Sequence, residues 1–147
     1  MAIKDVEQLK AQFKKHYNHF VQTDDAMPNP DHLTNIFRAR QNNQDYNKQD
    51  LIKFKKSYHE ITNAFYQMKK LLSQLICYCS KDEILELVNG DENLVTMQGL
   101  NVNYTFNKFM YLIVDDMLKQ TTKSRQKLEK FMQKNPAMMQ SLIKKYV

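Results

Sequence analysis

The chain has 147 residues, 42% hydrophobic and 26% charged, the size of one domain, residues 1–147, with a single core. Its 22 Lys and Arg against 16 Asp and Glu give a net charge of +6, which favours acidic partners. Two Gly and three Pro are too few for the clustered glycines of phosphate-binding loops, or for the many turns of a sandwich or barrel.

The first segment places Ile3, Val6, Leu9, Phe13, Tyr17 and Phe20 at spacings of three and four, the stripe of an amphipathic helix running to about Gln22. Its charged start lacks the uninterrupted apolar run of a secretory signal, so cytoplasmic residence is expected. Thr23 to Asn29 reads as a polar loop. Asn29-Pro30 then reads as an N-cap with proline at the first helical position, opening a short helix with Leu33, Ile36 and Phe37 inward.

Asn47 and Asp50 form a variant capping box ahead of the strongest periodicity in the chain. Leu51, Phe54, Tyr58, Ile61, Phe65, Met68, Leu72, Leu75 and Cys79 alternate spacings of three and four, which predicts a helix of about 30 residues, ~45 Å long. Ala64, Leu71, Ile76 and Tyr78 widen the apolar face, as in a helix buried within a bundle; the same seam would also serve a homodimer. Cys77 and Cys79, two apart on such a helix, point about 200° apart and are expected to be reduced and partly buried.

Ser80 and Glu83 repeat the capping-box pattern, so a short helix with Ile84, Leu85, Leu87 and Val88 should follow, closed by Gly90 in the left-handed conformation. Leu100, Val102, Tyr104 and Phe106 then alternate with Asn101, Asn103 and Thr105, which predicts a small β-hairpin over Leu94 to Tyr104. A second long helix is expected from Phe106, with Met110, Ile113, Met117, Leu128 and Phe131 on one side. Asn135-Pro136 should break it, and a last helix carries Met139, Leu142, Ile143 and Tyr146. The expected fold is mainly α: an irregular bundle of about six helices, two of them long, with one hairpin. No apolar stretch approaches the length of a membrane span.

Charge is uneven along the chain. Residues 1–60 hold ten basic and eight acidic side chains, residues 61–104 three and five, and residues 105–147 nine and three. The last segment therefore accounts for the net charge. In it Lys119, Lys123, Lys127, Lys130 and Lys134 form a helical stripe, with Arg125 off that line. These six residues are the candidate partner-binding site. An acidic protein surface is the preferred partner and a nucleic-acid backbone the alternative; an anionic membrane surface matches a linear array of cations too, and the same stripe also reads as a solvated face that keeps the protein soluble.

Catalysis and metal binding draw little support. His16 and His19 are neighbours on the first helix, and His32 and His59 stand beside Asp31 and Glu60, but no metal-ligand motif links them. Asp24-Asp25 falls in the expected loop; Asp115-Asp116 follows an apolar run, where a structural ion pair is expected. Met132, Met138 and Met139 read as core filling or as an adaptable contact surface. The expected function is a non-catalytic interaction module, a regulator, inhibitor or adaptor, acting through the basic C-terminal helix or the hairpin edge without a cofactor. A small helical enzyme is the remaining alternative, with a deep polar pocket around His16, His59 or Asp116.

Overall fold

The computed structural model describes residues 3–146, which form seven α-helices and one 3-10 turn. They are α1 (Ile3–Ala26), α2 (Pro30–Gln41), α3 (Lys48–Leu75), α4 (Lys81–Leu87), the turn Glu92–Val95, α5 (Met97–Lys119), α6 (Thr122–Lys134) and α7 (Pro136–Tyr146). The described residues contain no strand, so the mainly α expectation stands and the hairpin does not. By contact density the chain divides into two compact units, one of Met1–Ala26 and Glu60–Asn107, the other of Met27–His59 and Lys108–Val147. Both α3 and α5 supply residues to each.

In the first unit, α1 buries Phe13 and Tyr17, and α3 buries Ile61, Ala64, Phe65, Met68, Leu71, Leu72 and Leu75. The Phe20 and Phe65 rings meet in a tilted arrangement with centroids 4.6 Å apart. Ile84 and Val88 of α4, Leu94 and Val95 of the turn, and Leu100 of α5 complete this core. Full burial of a side chain such as Phe65 is worth about 1.5–3 kcal/mol.

The capping box of α4 forms as the sequence predicts: Ser80 Oγ accepts the Glu83 N–H at 3.2 Å, and Glu83 Oε1 accepts the Ser80 N–H at 3.1 Å. Glu83 also receives Lys10 of α1 at 3.1 Å, so one carboxylate both caps α4 and holds α1 beside it. Those two sets of contacts, the Ser80 backbone first, keep its carboxyl below the usual range. Asn89 (φ 52°) and Gly90 (φ 83°) then turn the chain through left-handed backbone.

The predicted hairpin is replaced by the 3-10 turn and the first turns of α5. Thr96 starts the helix, its Oγ1 accepting the Gly99 N–H at 3.0 Å and its carbonyl the Leu100 N–H at 3.0 Å. A Cβ at Gly99 would collide with the Asn93 carbonyl, so only glycine lets the turn fold against the helix start. The apparent two-residue alternation was misleading because the polar positions satisfy themselves within the helix. Asn103 Nδ2 donates to the Gly99 carbonyl at 2.9 Å, Thr105 Oγ1 to Asn101 at 2.7 Å and Asn107 Nδ2 to Asn103 at 2.8 Å. Leu100 is buried while Val102, its partner in the strand reading, is 53% exposed.

In the second unit, Asn29 caps α2 by accepting the Asp31 N–H at 3.0 Å, with Pro30 in the first turn. Leu33 and Ile36 of α2, Leu51, Phe54 and Tyr58 of α3, and Phe109, Met110, Leu112, Val114 and Met117 of α5 form the core with Leu128 of α6. Phe109 and Phe131 stack with centroids 6.1 Å apart. Asn135 closes α6, its Nδ2 donating to the Phe131 carbonyl at 2.9 Å, and Pro136 opens α7. The side chains of Ile3, Leu142, Ile143 and Tyr146, expected inward, lie outside those described.

Four further boundaries differ from expectation. Helix α1 continues through Thr23–Ala26, with Thr23 buried, which shortens the following loop. Helix α3 stops at Leu75, so Ile76 (54% exposed) and Tyr78 (49%) leave the apolar face instead of widening it. Helix α5 starts at Met97 rather than Phe106. The single helix expected from Phe106 to Phe131 is two, because Gln120 adopts left-handed backbone (φ 50°) and Thr121 begins a new cap. Thr121 Oγ1 accepts the Ser124 N–H at 3.1 Å and Ser124 Oγ accepts the Thr121 N–H at 3.1 Å, a capping box with serine in the place of glutamate.

Candidate partner-binding site

The break at Gln120 divides the six candidate cations by role. Lys119 ends α5, where its ammonium lies 3.3 Å from Asp115 Oδ1. Arg125, in the first turn of α6, meets Asp116 Oδ2 at 3.1 Å. Both aspartates are buried, at 4% and 5% exposure, and each is held by partners on other elements. Lys55 of α3 reaches Asp115 Oδ1 at 2.8 Å, and Ser124 Oγ donates to Asp116 Oδ1 at 2.8 Å. Burial opposes the Asp115 charge, but Lys55 and Lys119 outweigh it and hold the carboxyl below its usual range. The expected structural ion pair is thus a two-centre clamp joining α3, α5 and α6.

The other four, Lys123, Lys127, Lys130 and Lys134, all lie on α6 and are exposed. Among the described residues none of them enters an ion pair. At 100° per residue they fall within about 60° of one another around the axis and span about 16 Å along it. Their mean direction is about 110° from that of the buried Ser124 and Leu128, so the burial that seats α6 turns the lysines outward. Phe131, half-buried, adjoins the stripe.

The histidines do not converge. His16 and His19 lie on α1, His32 on α2 and His59 on α3, where the imidazole sits 5.4 Å from the Tyr111 ring. Burial, with Lys15 and His19 nearby, lowers the His16 pKa. Among the described residues no group of three His, Cys, Asp or Glu side chains is placed to hold a metal ion. An open depression of about 550 Å³ on α1 is lined by Ala11, Lys14, Lys15, Asn18, His19 and Gln22; His16, His59 and Asp116 take no part in it.

Asp24 and Asp25 lie in the last turn of α1, not in a loop, and Asp24 is shifted upward by desolvation and by the charge of Asp25. Cys77 and Cys79 follow the end of α3, so the 200° helical separation does not apply to them; both are free thiols, and burial raises the pKa of Cys79.

A second polar cluster, absent from the sequence reading, joins α3 and α5 within the first unit. Tyr66 and Tyr104 rings lie 6.2 Å apart, with Lys69 over Tyr104 and Lys70 over Tyr66. The spacing of Tyr66, Lys69 and Lys70, at i, i+3 and i+4 of the most regular helix, was the available signal.

No protein family matches the sequence, no curated protein matches it, and no solved structure matches the fold. Among the described residues no helix is long and apolar enough to cross a membrane.

Proposed function

We propose that the protein is a non-catalytic interaction module of the cytoplasm that docks an acidic helical segment of a partner protein along α6. The observation that carries this reading is the separation of duties among the cations. Lys119 and Arg125 are committed to the buried aspartates, whereas Lys123, Lys127, Lys130 and Lys134 share one exposed face and, among the described residues, no ion pair. Their intervals of four, three and four residues are those of any helix face, so a partner helix with carboxylates at the same intervals meets them one for one. The half-buried Phe131 beside the stripe offers that partner an apolar contact.

The test is fluorescence anisotropy with a labelled helical peptide carrying glutamates at those intervals, against the wild-type chain and a variant with all four lysines changed to Glu. Exposed pairs contribute about 0.2–1 kcal/mol each, so the expected result is weak, salt-sensitive binding abolished in a variant whose helical circular dichroism is unchanged. Absence of peptide binding at low salt, or tighter binding of duplex DNA through the same lysines, overturns the reading.

A further inference from the structure

We infer that the Tyr66–Tyr104 cluster is a stacking platform for single-stranded nucleic acid, independent of the α6 stripe. Tyr66 of α3 is 44% exposed and Tyr104 of α5 half-buried, and their rings are tilted by 42°. Lys70 Nζ lies 5.2 Å from the Tyr66 centroid and Lys69 Nζ 4.8 Å from that of Tyr104. Lys69 also donates to Asn101 Oδ1 at 2.9 Å, and Val102 beside it is 53% exposed. These are the components that bind single strands: aromatic faces for bases, cations for phosphates and a carboxamide able to pair with a base edge.

Charge complementarity favours an anionic occupant. No acidic residue occurs from Ile61 to Ser80 or from Asn93 to Asn107, the two segments that build the cluster, and among the described residues neither lysine enters an ion pair; both rest on the tyrosine faces. A cation over an exposed ring is held more weakly than a base stacked on it. An arriving base therefore displaces the ammonium, which moves outward to the phosphate of the same nucleotide. Stacked bases rise about 3.4 Å per nucleotide along a strand, and unstacking lengthens that step, so neighbouring bases reach rings 6.2 Å apart. A duplex, whose base faces are covered, cannot use the platform.

The experiment is anisotropy of a short labelled oligodeoxythymidine on the full chain, beside an abasic strand of the same length and the duplex. The base-bearing strand should bind best. Tyr66→Ala should weaken it by about 5- to 150-fold, which corresponds to stacking worth about 1–3 kcal/mol per base. Tyr66→Phe should retain binding, and the double change Lys69→Glu, Lys70→Glu should abolish it. Because Tyr66 is exposed, its substitution leaves the fold intact, as helical circular dichroism will report. The inference is overturned by equal binding of the abasic strand, by no binding at low salt, by binding unchanged in Tyr66→Ala, or by capture of the acidic peptide at this cluster in place of the strand. Reversal of the four α6 lysines takes the formal net charge from +6 to −2 and should weaken the base-bearing and abasic strands by the same factor, leaving the preference for the base-bearing strand in place. If that variant alone abolishes it, the strand sits on α6 and the platform is refuted.

Discussion

Replacing Lys55 by Met tests whether the buried aspartates clamp the second unit. The Asp115 side chain is 6% exposed and its Oδ1 is served by Lys55 at 2.8 Å and Lys119 at 3.3 Å. Removing one partner of a fully buried ion pair costs about 3–5 kcal/mol. Here the cost is smaller, since Lys119 remains and Lys55 itself is 30% exposed. The pair lies between an exposed ion pair, about 0.2–1 kcal/mol, and a fully buried one, and about 1.5–2 kcal/mol is the expected loss. For a chain of this size that lowers Tm by about 3–8 °C. The pH dependence separates a charge effect from lost packing. The Asp115 carboxyl is depressed in the folded protein, so its stabilisation is complete above the unfolded carboxylate pKa of about 3.9 and disappears as pH falls through the folded value. Without Lys55, burial acts on a carboxyl with one cation fewer and the folded pKa rises. Urea unfolding should therefore show the full penalty near neutral pH and a shrinking one as pH falls through the carboxylate range. A penalty that is equal at both ends, or below about 0.5 kcal/mol throughout, would refute an electrostatic role for Lys55.

Two substitutions test the local geometry of the first unit. Gly99→Ala should destabilise by about 1–3 kcal/mol in thermal unfolding, because the collision with the Asn93 carbonyl outweighs the ~1 kcal/mol by which helix propensity favours alanine. A neutral or stabilising result would show that the 3-10 turn can withdraw from the helix. Ser80→Ala should cost about 1 kcal/mol through loss of the bond to the Glu83 N–H, while Ser80→Asp should stay within a few tenths; equal losses would show that the cap contributes nothing through its side-chain acceptor.

The features written in local pattern were legible before any tertiary contact was known. The seam from Leu51 to Leu75 is buried at every position, because period and burial coincide over seven turns of one helix. The caps at Asn29 and Ser80 and the stop at Asn135-Pro136 are short-range chemistry, legible within four residues. The lysine stripe was legible too, as a spacing. Long-range packing settled the places where local pattern was ambiguous or silent. Residues 100–106 fit a period of two as well as a helix, and the helix forms because Leu100 packs under the 3-10 turn, Gly99 permits that approach and asparagine side chains bond back to the α5 carbonyls. The division at Gln120 carries no glycine or proline to announce it. It lets the Thr121 and Ser124 cap bring Ser124 and Arg125 onto Asp116, and that clamp, not the sequence spacing, separates the cations that hold the fold from the four left facing outward. The tyrosine cluster likewise exists only because α3 and α5 lie side by side: residues 35 or more positions apart meet across two helices, a relation that helical periodicity within either one does not encode.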